Sequence, residues 1–370
     1  MAAFCSSEAT KMAASILFCT YFDSNFVIRG LAMIRSLARH RTVPWQMVVL
    51  CLDEAAERIL TRMKQHDPAL AFVEALALAR LEAEDPSLRA VRASRSLVEY
   101  FFTCTPVLCR WLLASRPEAL TLVYLDADLY FFENDEPLFA EMGAAPAAII
   151  EHRFPEKLSH VAALYGRFNV GWVGFTRSLA AVACLERWRT QCLEWCGDTA
   201  EGGRFGDQKY LDDWPERVPG LVVIGNPGAN LAPWNLRRHD LRCGPTGAPQ
   251  VDGRPLIFYH FHGLGKWGGP GDYKTNIDTW DALLGMVVWR IYAPYLAELT
   301  DIENSVAALA RDLLPAQTGR LIRYEGPVGL LPMLRRAALN SLLRLLGRRI
   351  RFRAGRPDLL WRLRNWVKVW

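Results

Sequence analysis

Val123-Tyr124-Leu125-Asp126-Ala127-Asp128-Leu129-Tyr130 is an apolar run that ends in two carboxylates one residue apart. A buried strand that terminates this way is costly unless something binds the charges. Hard divalent cations take oxygen ligands, with water and phosphate oxygens completing the shell. Asp126 and Asp128, separated by the small Ala127, can therefore grip Mn²⁺ or Mg²⁺ and leave positions open for a diphosphate. Two other readings compete. An Asp-x-Asp can simply cap a solvated turn at a strand end. A phosphatase with an aspartyl nucleophile uses the same pair, but Tyr130 stands where that motif wants Thr or Val.

Working outward, short apolar runs alternate with helical patterns. Toward the N-terminus, strands are expected at Ser15–Phe22, Trp45–Leu52, Ala71–Leu76 and Leu120–Asp126. Helices are expected at Phe26–Leu37, Glu54–Lys64 and Ser96–Leu113, with Pro106 kinking the last or starting a new one. Toward the C-terminus, strands are expected at Ala147–His152, Phe168–Phe175, Gly220–Ile224 and Leu256–His262, and a helix near Leu179–Trp195. This rhythm predicts an α/β fold, a mostly parallel sheet flanked by helices. Ligands of such sheets bind beyond the carboxyl ends of the strands. No repeat or low-complexity linker interrupts the pattern. From Trp280 onward helices dominate, which divides the chain into residues 1–280 and a helical region, 281–370.

Composition narrows the class. With 370 residues, 51% apolar and 22% charged, the chain is neither disordered nor collagen-like. Its nine Cys form no Cys-x-x-Cys pair, and Cys19, Cys51 and Cys104 lie in apolar runs, which suggests reduced thiols and a cytoplasmic location. Cys192 and Cys196 have helical spacing but no companion ligands, so zinc is not expected. No apolar run reaches the roughly 20 residues needed to span a bilayer. Met12–Phe22 could pass for a signal-peptide core, but only Lys11 precedes it and no cleavage site follows. A first strand after a loose leader, residues 1–11, is the better reading.

Three further segments carry polar residues where a ligand could meet them. Ile257-Phe-Tyr-His260-Phe-His262-Gly263-Leu-Gly265-Lys266-Trp267 is another apolar strand, ending in imidazole, glycine and a cation. Imidazole suits Mn²⁺-class metals, Gly lets backbone approach a ligand and Lys offers a point charge to phosphate. The same stretch spells Gly-x-Gly-x-x-Gly, but it is not at a first βα turn and Gly-Pro-Gly follows it, which argues against a dinucleotide site. Phe168-Asn169-Val-Gly171-Trp-Val-Gly174 puts Asn and two Gly inside an apolar strand, either a close approach to a ligand or a bulge. Gly206-Asp207-Gln208 reads as a helix cap or as a binding motif.

Taken in order, Asp126-x-Asp128, Asn169-x-Gly171, Asp207-Gln208 and His260-x-x-Gly263-x-x-Lys266-Trp267 resemble the GT-A nucleotide-sugar glycosyltransferases, most closely the retaining family eight. The resemblance spans Ser15 to Trp267. It implies a GT-A (Rossmann-like) mixed sheet. It also implies metal ligation by Asp126, Asp128 and His260, with His262 as second choice, and a diphosphate contact from Lys266. It points to Thr20, Tyr21 and Asp23 for the uracil pocket and to Arg95 for the diphosphate or sugar. Asn169, Asp207 and Gln208 would lie around the donor sugar. The implied cofactor is Mn²⁺ or Mg²⁺, and the implied co-substrate a UDP-sugar. The chain departs from the family in lacking Pro between Lys266 and Trp267, in the bulky Trp172, and in Asn230-Leu-Ala-Pro-Trp234-Asn235, an acceptor-side loop or a buried anchor.

Charge is unevenly spread. The net charge is +5, but Leu331–Trp370 carries eleven Lys/Arg and one acid, leaving the first 330 residues at −5. Leu334, Leu342, Leu345 and Leu346 recur at helical spacing among Arg335, Arg336, Arg344, Arg348 and Arg349, with Trp361, Trp366 and Trp370 beyond. A basic amphipathic extension of this kind suits an anionic membrane surface, hence a lipid-linked acceptor and a peripheral site on the inner face of the plasma membrane. The plainer alternative is a helix packed on the body. Nucleic acid is not expected, because the body is acidic. Two other functions compete with the transferase. A sugar nucleotidyltransferase would open with a Gly-rich basic loop after the first strand, where Thr20-Tyr-Phe-Asp-Ser-Asn stands instead. A catalytically silent sugar-nucleotide-binding scaffold is disfavoured by the intact Asp126, Asp128, His260 and Lys266.

Overall fold

The structure is a computed structural model that describes residues 16–266, 273–275 and 286–314, with backbone alone at Lys266, Lys274, Met286, 352–353 and 356–357. The leader, Trp267 and most of the basic extension lie outside the described residues; the four described residues of the extension, 352–353 and 356–357, form an antiparallel strand pair that joins Tyr273, where a helix was expected. Strands β1 (Ile16–Phe22), β2 (Gln46–Cys51), β3 (Val73–Ala77), β4 (Thr121–Leu125), β6 (Ala147–Glu151), β7 (Phe168–Thr176) and β8 (Val222–Val223) form one sheet, ordered β3-β2-β1-β4-β7-β6-β8. The first four are mutually parallel, and β7 alone runs antiparallel to both its neighbours, β4 and β6. This is the mixed, mostly parallel sheet that the motifs implied.

Period-two alternation assigns each strand residue to a face. On β1, Leu17 and Cys19 join the core under helix α3 (Leu97–Ser115), and Phe18 and Phe22 join the core on the opposite face. There α1 (Val27–His40) buries Val27, Leu31, Ile34 and Leu37, a 3.6-residue stripe. α2 (Glu54–Lys64) starts at Asp53, whose carboxylate accepts from Ala56 N. α3 carries a complete capping box, Ser96 with Glu99, and continues as one helix past Pro106, so no new helix starts there. It is long and apolar enough to cross a membrane, a feature that counting uninterrupted apolar residues passes over because Glu99 and Arg110 break the run. It lies against α4 (Leu179–Glu194) with Tyr100, Cys104, Leu108 and Leu112 buried.

Two additions position the site. The chain leaving β4 forms β5 (Leu129–Phe131), which pairs antiparallel with β12 (Phe258–His260), setting His260 opposite Leu129. Between them in sequence lies a small antiparallel sheet, β9 (Leu241–Cys243), β10 (Pro249–Val251) and β11 (Arg254–Pro255). The strands expected at Gly220–Ile224 and Leu256–His262 shrink to two and three residues: β8 pairs only with Ala148 and Ile149 of the five-residue β6, and β12 matches the three residues of its partner β5. Past residue 280, α5 (Met286–Ala310) packs on α1 and α2, and its Ile291, Tyr295, Leu299, Ile302 and Val306 belong to the same core as Phe18.

Candidate metal and nucleotide-sugar site

The carboxyl end of β4 delivers Asp126 and Asp128, and β12 brings His260 between them. Backbone bonds hold the three in register: Asp126 N donates to Gly171 O at 2.9 Å, and Phe261 N to Asp128 O at 2.9 Å. His260 Nε2 lies 3.0 Å from Asp128 Oδ1 and 3.6 Å from Asp126 Oδ2. Tyr124 donates its hydroxyl to Asp126 Oδ1 at 2.9 Å. Among the described residues, donor atoms of Asp128, His260 and His262 all lie within 4.8 Å of one another.

Charge is strongly coupled here. Burial pushes the Asp126 carboxyl up to about 6; His260 opposes this and Asp128 reinforces it. Burial also works against an ionised Asp128, but His260 outweighs it, aided by His262 and Arg29, and holds that carboxyl at about 2. Burial disfavours a charged His260, yet the two carboxylates raise its pKa. His262 moves the other way, to about 4, through burial and the neighbouring His260. Two carboxylates converging on one imidazole are a donor set that a Mn²⁺- or Mg²⁺-class ion fits.

The protons around His260 can be assigned. Gly171 N donates to Asn169 Oδ1 at 2.9 Å, and a backbone N–H can only donate, so this atom is the amide oxygen. The same oxygen lies 3.2 Å from His260 Nδ1, which must therefore carry a hydrogen. Nε2 is left to face the carboxylates. Asn169 Nδ2 in turn points at His152 Nε2, 3.4 Å away. His152 is buried and held neutral, its pKa lowered to about 3 mainly by that burial. Its carbonyl accepts from Trp234 Nε1 and Asn235 Nδ2, each at 2.9 Å. Trp234 is thus a buried anchor, 4% exposed, and its ring packs 5.1 Å from His260 and 5.5 Å from His262.

A second cluster adjoins Asp126. The rings of Tyr21 and Tyr124 lie 5.7 Å apart, and the Thr105 hydroxyl lies 3.4 Å from the Tyr21 hydroxyl. Burial raises the Asp207 carboxyl to about 7; a hydrogen bond from Thr105 opposes the rise and Asp126 adds to it. Trp188 Nε1 donates to Asp207 O at 2.8 Å, fixing the start of that turn.

Of the residues expected from sequence, the structure therefore gathers Asp126, Asp128, His260, Asn169, Asp207 and Tyr21. Asp23, Arg95 and Gln208 are bonded elsewhere, and Thr20 faces away. Thr20 points to the opposite face of β1 from Tyr21, fully buried, with no hydrogen-bond partner for Oγ1 among the described residues. Asp23 accepts from Asn25 N and Phe26 N, both at 3.0 Å, and shapes the turn into α1. The Arg95 guanidinium is bonded to Thr103 Oγ1 and Leu193 O. Gln208 Nε2 donates to Tyr165 O at 2.7 Å. Lys266 begins a short antiparallel pair with Tyr273, and its side chain lies outside the described residues. Sequence reasoning passed over Tyr124, Thr105 and His152. The first two sit in apolar runs that read as core, and the third read as a strand end.

Strand order and side-chain constellation together define an α/β protein with a mixed, mostly parallel sheet and a carboxylate–imidazole centre. Comparison with known proteins places it further. No family model matches the chain. It is 31% identical to the uncharacterized Bacillus subtilis (strain 168) protein YfnF over 253 residues, 66% of this chain and 80% of that one. With B. subtilis YfnD it shares 32% identity over 251 residues, 67% and 77% of the two chains. The chain belongs to the family of YfnF and YfnD. Among solved structures it is similar to the galactosyltransferase LgtC in complex with donor and acceptor sugar analogs, with 14% identity, 78% and 95% coverage and a TM-score of 0.47. It is also similar to mouse xyloside xylosyltransferase 1, with 15% identity, 67% and 97% coverage and a TM-score of 0.43.

Proposed function

We propose that this chain is a metal-dependent glycosyltransferase that moves a sugar from a UDP-sugar to a glycan or lipid-linked acceptor, with retention. The observation that carries the reading is the convergence of Asp126, Asp128 and His260 at the carboxyl end of β4, beside Asp207 and Tyr21. Asp126, Asp128 and His260 would hold Mn²⁺ or Mg²⁺, which supplies positive charge against a departing diphosphate. The hydrogen on His260 Nδ1, given to Asn169, keeps Nε2 turned to that position. Buried Asp207 is suited to orient the sugar and to stabilise positive charge at its anomeric carbon once ionised. Asn169 and Gln208 spend their amides on protein partners, so they act on the site by holding its walls. A cytoplasmic location, with the basic extension resting on the inner face of the plasma membrane, completes the proposal.

The test is thermal stability with UDP, GDP, CDP and ADP, each with and without Mn²⁺. A ligand at about 100 times its Kd adds about 2.7 kcal/mol, a shift of a few degrees. The expected result is a shift for UDP that requires Mn²⁺ and disappears in Asp126→Asn without loss of the basal melting temperature. A shift for a different nucleotide would replace the donor, and no shift with any of them would overturn the reading.

A further inference from the structure

We propose that His262 is a fourth protein ligand of the metal centre, giving a shell of two carboxylates and two imidazoles that takes a Mn²⁺-class ion in preference to Mg²⁺. The inference rests on the metal reading above and extends it to the identity of the ion.

Residues two apart on an extended chain project to the same side. His260 ends β12, and the chain continues through Phe261 to His262. Phe261 points the opposite way, 1% exposed, with its ring stacked 3.8 Å from that of Tyr295. Both imidazoles are thereby turned toward the carboxylates. Their ring centroids are 6.0 Å apart, and the Trp234 indole packs edge-on against each. The anchoring bond from Trp234 Nε1 to His152 O makes that indole a fixed backing for the pair. On the other side Asp128 is shared, since its oxygen and one nitrogen of each ring lie within 4.8 Å of one another. Asp126 reaches the same place, 3.6 Å from His260 Nε2.

The donor set determines the ion. Mg²⁺ demands a near-octahedral oxygen shell and keeps much of its water. Each imidazole added moves preference toward Mn²⁺ and the later divalent metals, for which nitrogen is a good ligand. Four ligands from the protein also make binding independent of nucleotide, because no diphosphate oxygen is needed to assemble the shell.

The experiment titrates the full chain with Mn²⁺ or Mg²⁺ alone by calorimetry, then repeats the Mn²⁺ titration with UDP. Pulsed EPR of the bound Mn²⁺ counts directly coupled imidazole nitrogens. The expected result is Mn²⁺ binding without UDP, a clear preference over Mg²⁺, and two coupled nitrogens. His262→Phe should leave one coupled nitrogen and weaken Mn²⁺ by at least about tenfold, the lower end of what losing even an outer-shell partner costs. His262→Asn should do the same with less change in packing against Trp234. One coupled nitrogen in the unmodified chain, or Mn²⁺ binding that appears only with UDP, would overturn the inference and leave the metal reading standing. Mn²⁺ that fails to bind with or without UDP would overturn both.

Discussion

A Cβ built on Gly171 would lie 2.6 Å from Asn169 Oδ1 and 2.9 Å from His260 Nδ1, closer than non-bonded atoms approach. Neither neighbour can retreat freely, because Asn169 is also bonded to Gly171 N and His260 to Asp128. Gly171→Ala is therefore expected to displace His260 and weaken Mn²⁺ by about 10- to 100-fold, read by calorimetry, at a stability cost of about 1–3 kcal/mol. Asp207 makes a prediction about pH. Its carboxyl is raised from 3.8 to about 7, so across that window the native chain holds a proton that the unfolded chain has lost. Stability then falls as pH rises through it, by on the order of 4 kcal/mol in total. Asp207→Asn removes this dependence, so its melting temperature should match the parent near pH 4 and exceed it at pH 8. At this scale sequence spoke clearly where chemistry was concentrated, as in Asp126-x-Asp128 and in His260, which the structure brings together. It was silent about Tyr124 and Thr105, whose hydroxyls matter only because β4 and α3 bring them against Asp126 and the Tyr21 hydroxyl.

Elements differ in how firmly their own sequence specifies them. α3 announces its start with Ser96-Leu-Val-Glu99, and both halves of the capping box form: Ser96 N donates to Glu99 Oε2 at 2.7 Å and Glu99 N to Ser96 Oγ at 3.3 Å. Ser96→Ala should cost about 1 kcal/mol, measured by urea unfolding, since an orphan N–H of the first turn loses its acceptor. The long periodic elements β1, α1, β2 and α2 were legible to within about three residues at each end, because each buries a full stripe. Short ones were not. β5 and β12 are three residues each and exist because they pair with one another, which no local pattern encodes. The reversed direction of β7 was equally hidden, since a strand buried on both faces reads alike in either direction. The opposite facing of Thr20 and Tyr21, which the motif reading had placed together, has a related reason. Adjacent strand residues face opposite sides, and only Tyr21 shares a face with the α3 core.

The whole molecule joins an acidic body to a basic extension, and each half makes a separate demand. For the extension, the proposed contact with anionic lipid predicts sedimentation with phosphatidylserine vesicles and not with neutral ones. Reversing Arg335, Arg336, Arg348 and Arg349 to Glu should abolish it at physiological salt, since each cation near such a surface contributes about 1 kcal/mol. For the body, the change of pattern at residue 280 is one of composition, because the core continues across it. Ile291, Tyr295, Leu299, Ile302 and Val306 of α5 are each fully buried against α1, α2 and the β5–β12 pair. Arg35 and Arg39 of α1 reach Glu298 on its flank. Burying one large apolar side chain stabilises by about 1.5–3 kcal/mol, so these five together contribute on the order of 10 kcal/mol. That is comparable to the entire net stability of a typical domain, about 5–15 kcal/mol. A chain ending at residue 280 should consequently lose cooperative unfolding, with broad melting and strong binding of a hydrophobic dye. Tyr295 further ties α5 to the site, because it stacks on Phe261, the residue between the two imidazoles. Tyr295→Ala should accordingly cost about 3–5 kcal/mol as a cavity, and it should weaken Mn²⁺ as well. Retention of full Mn²⁺ affinity in a folded Tyr295→Ala chain would separate the helix from the site and confine its role to stability.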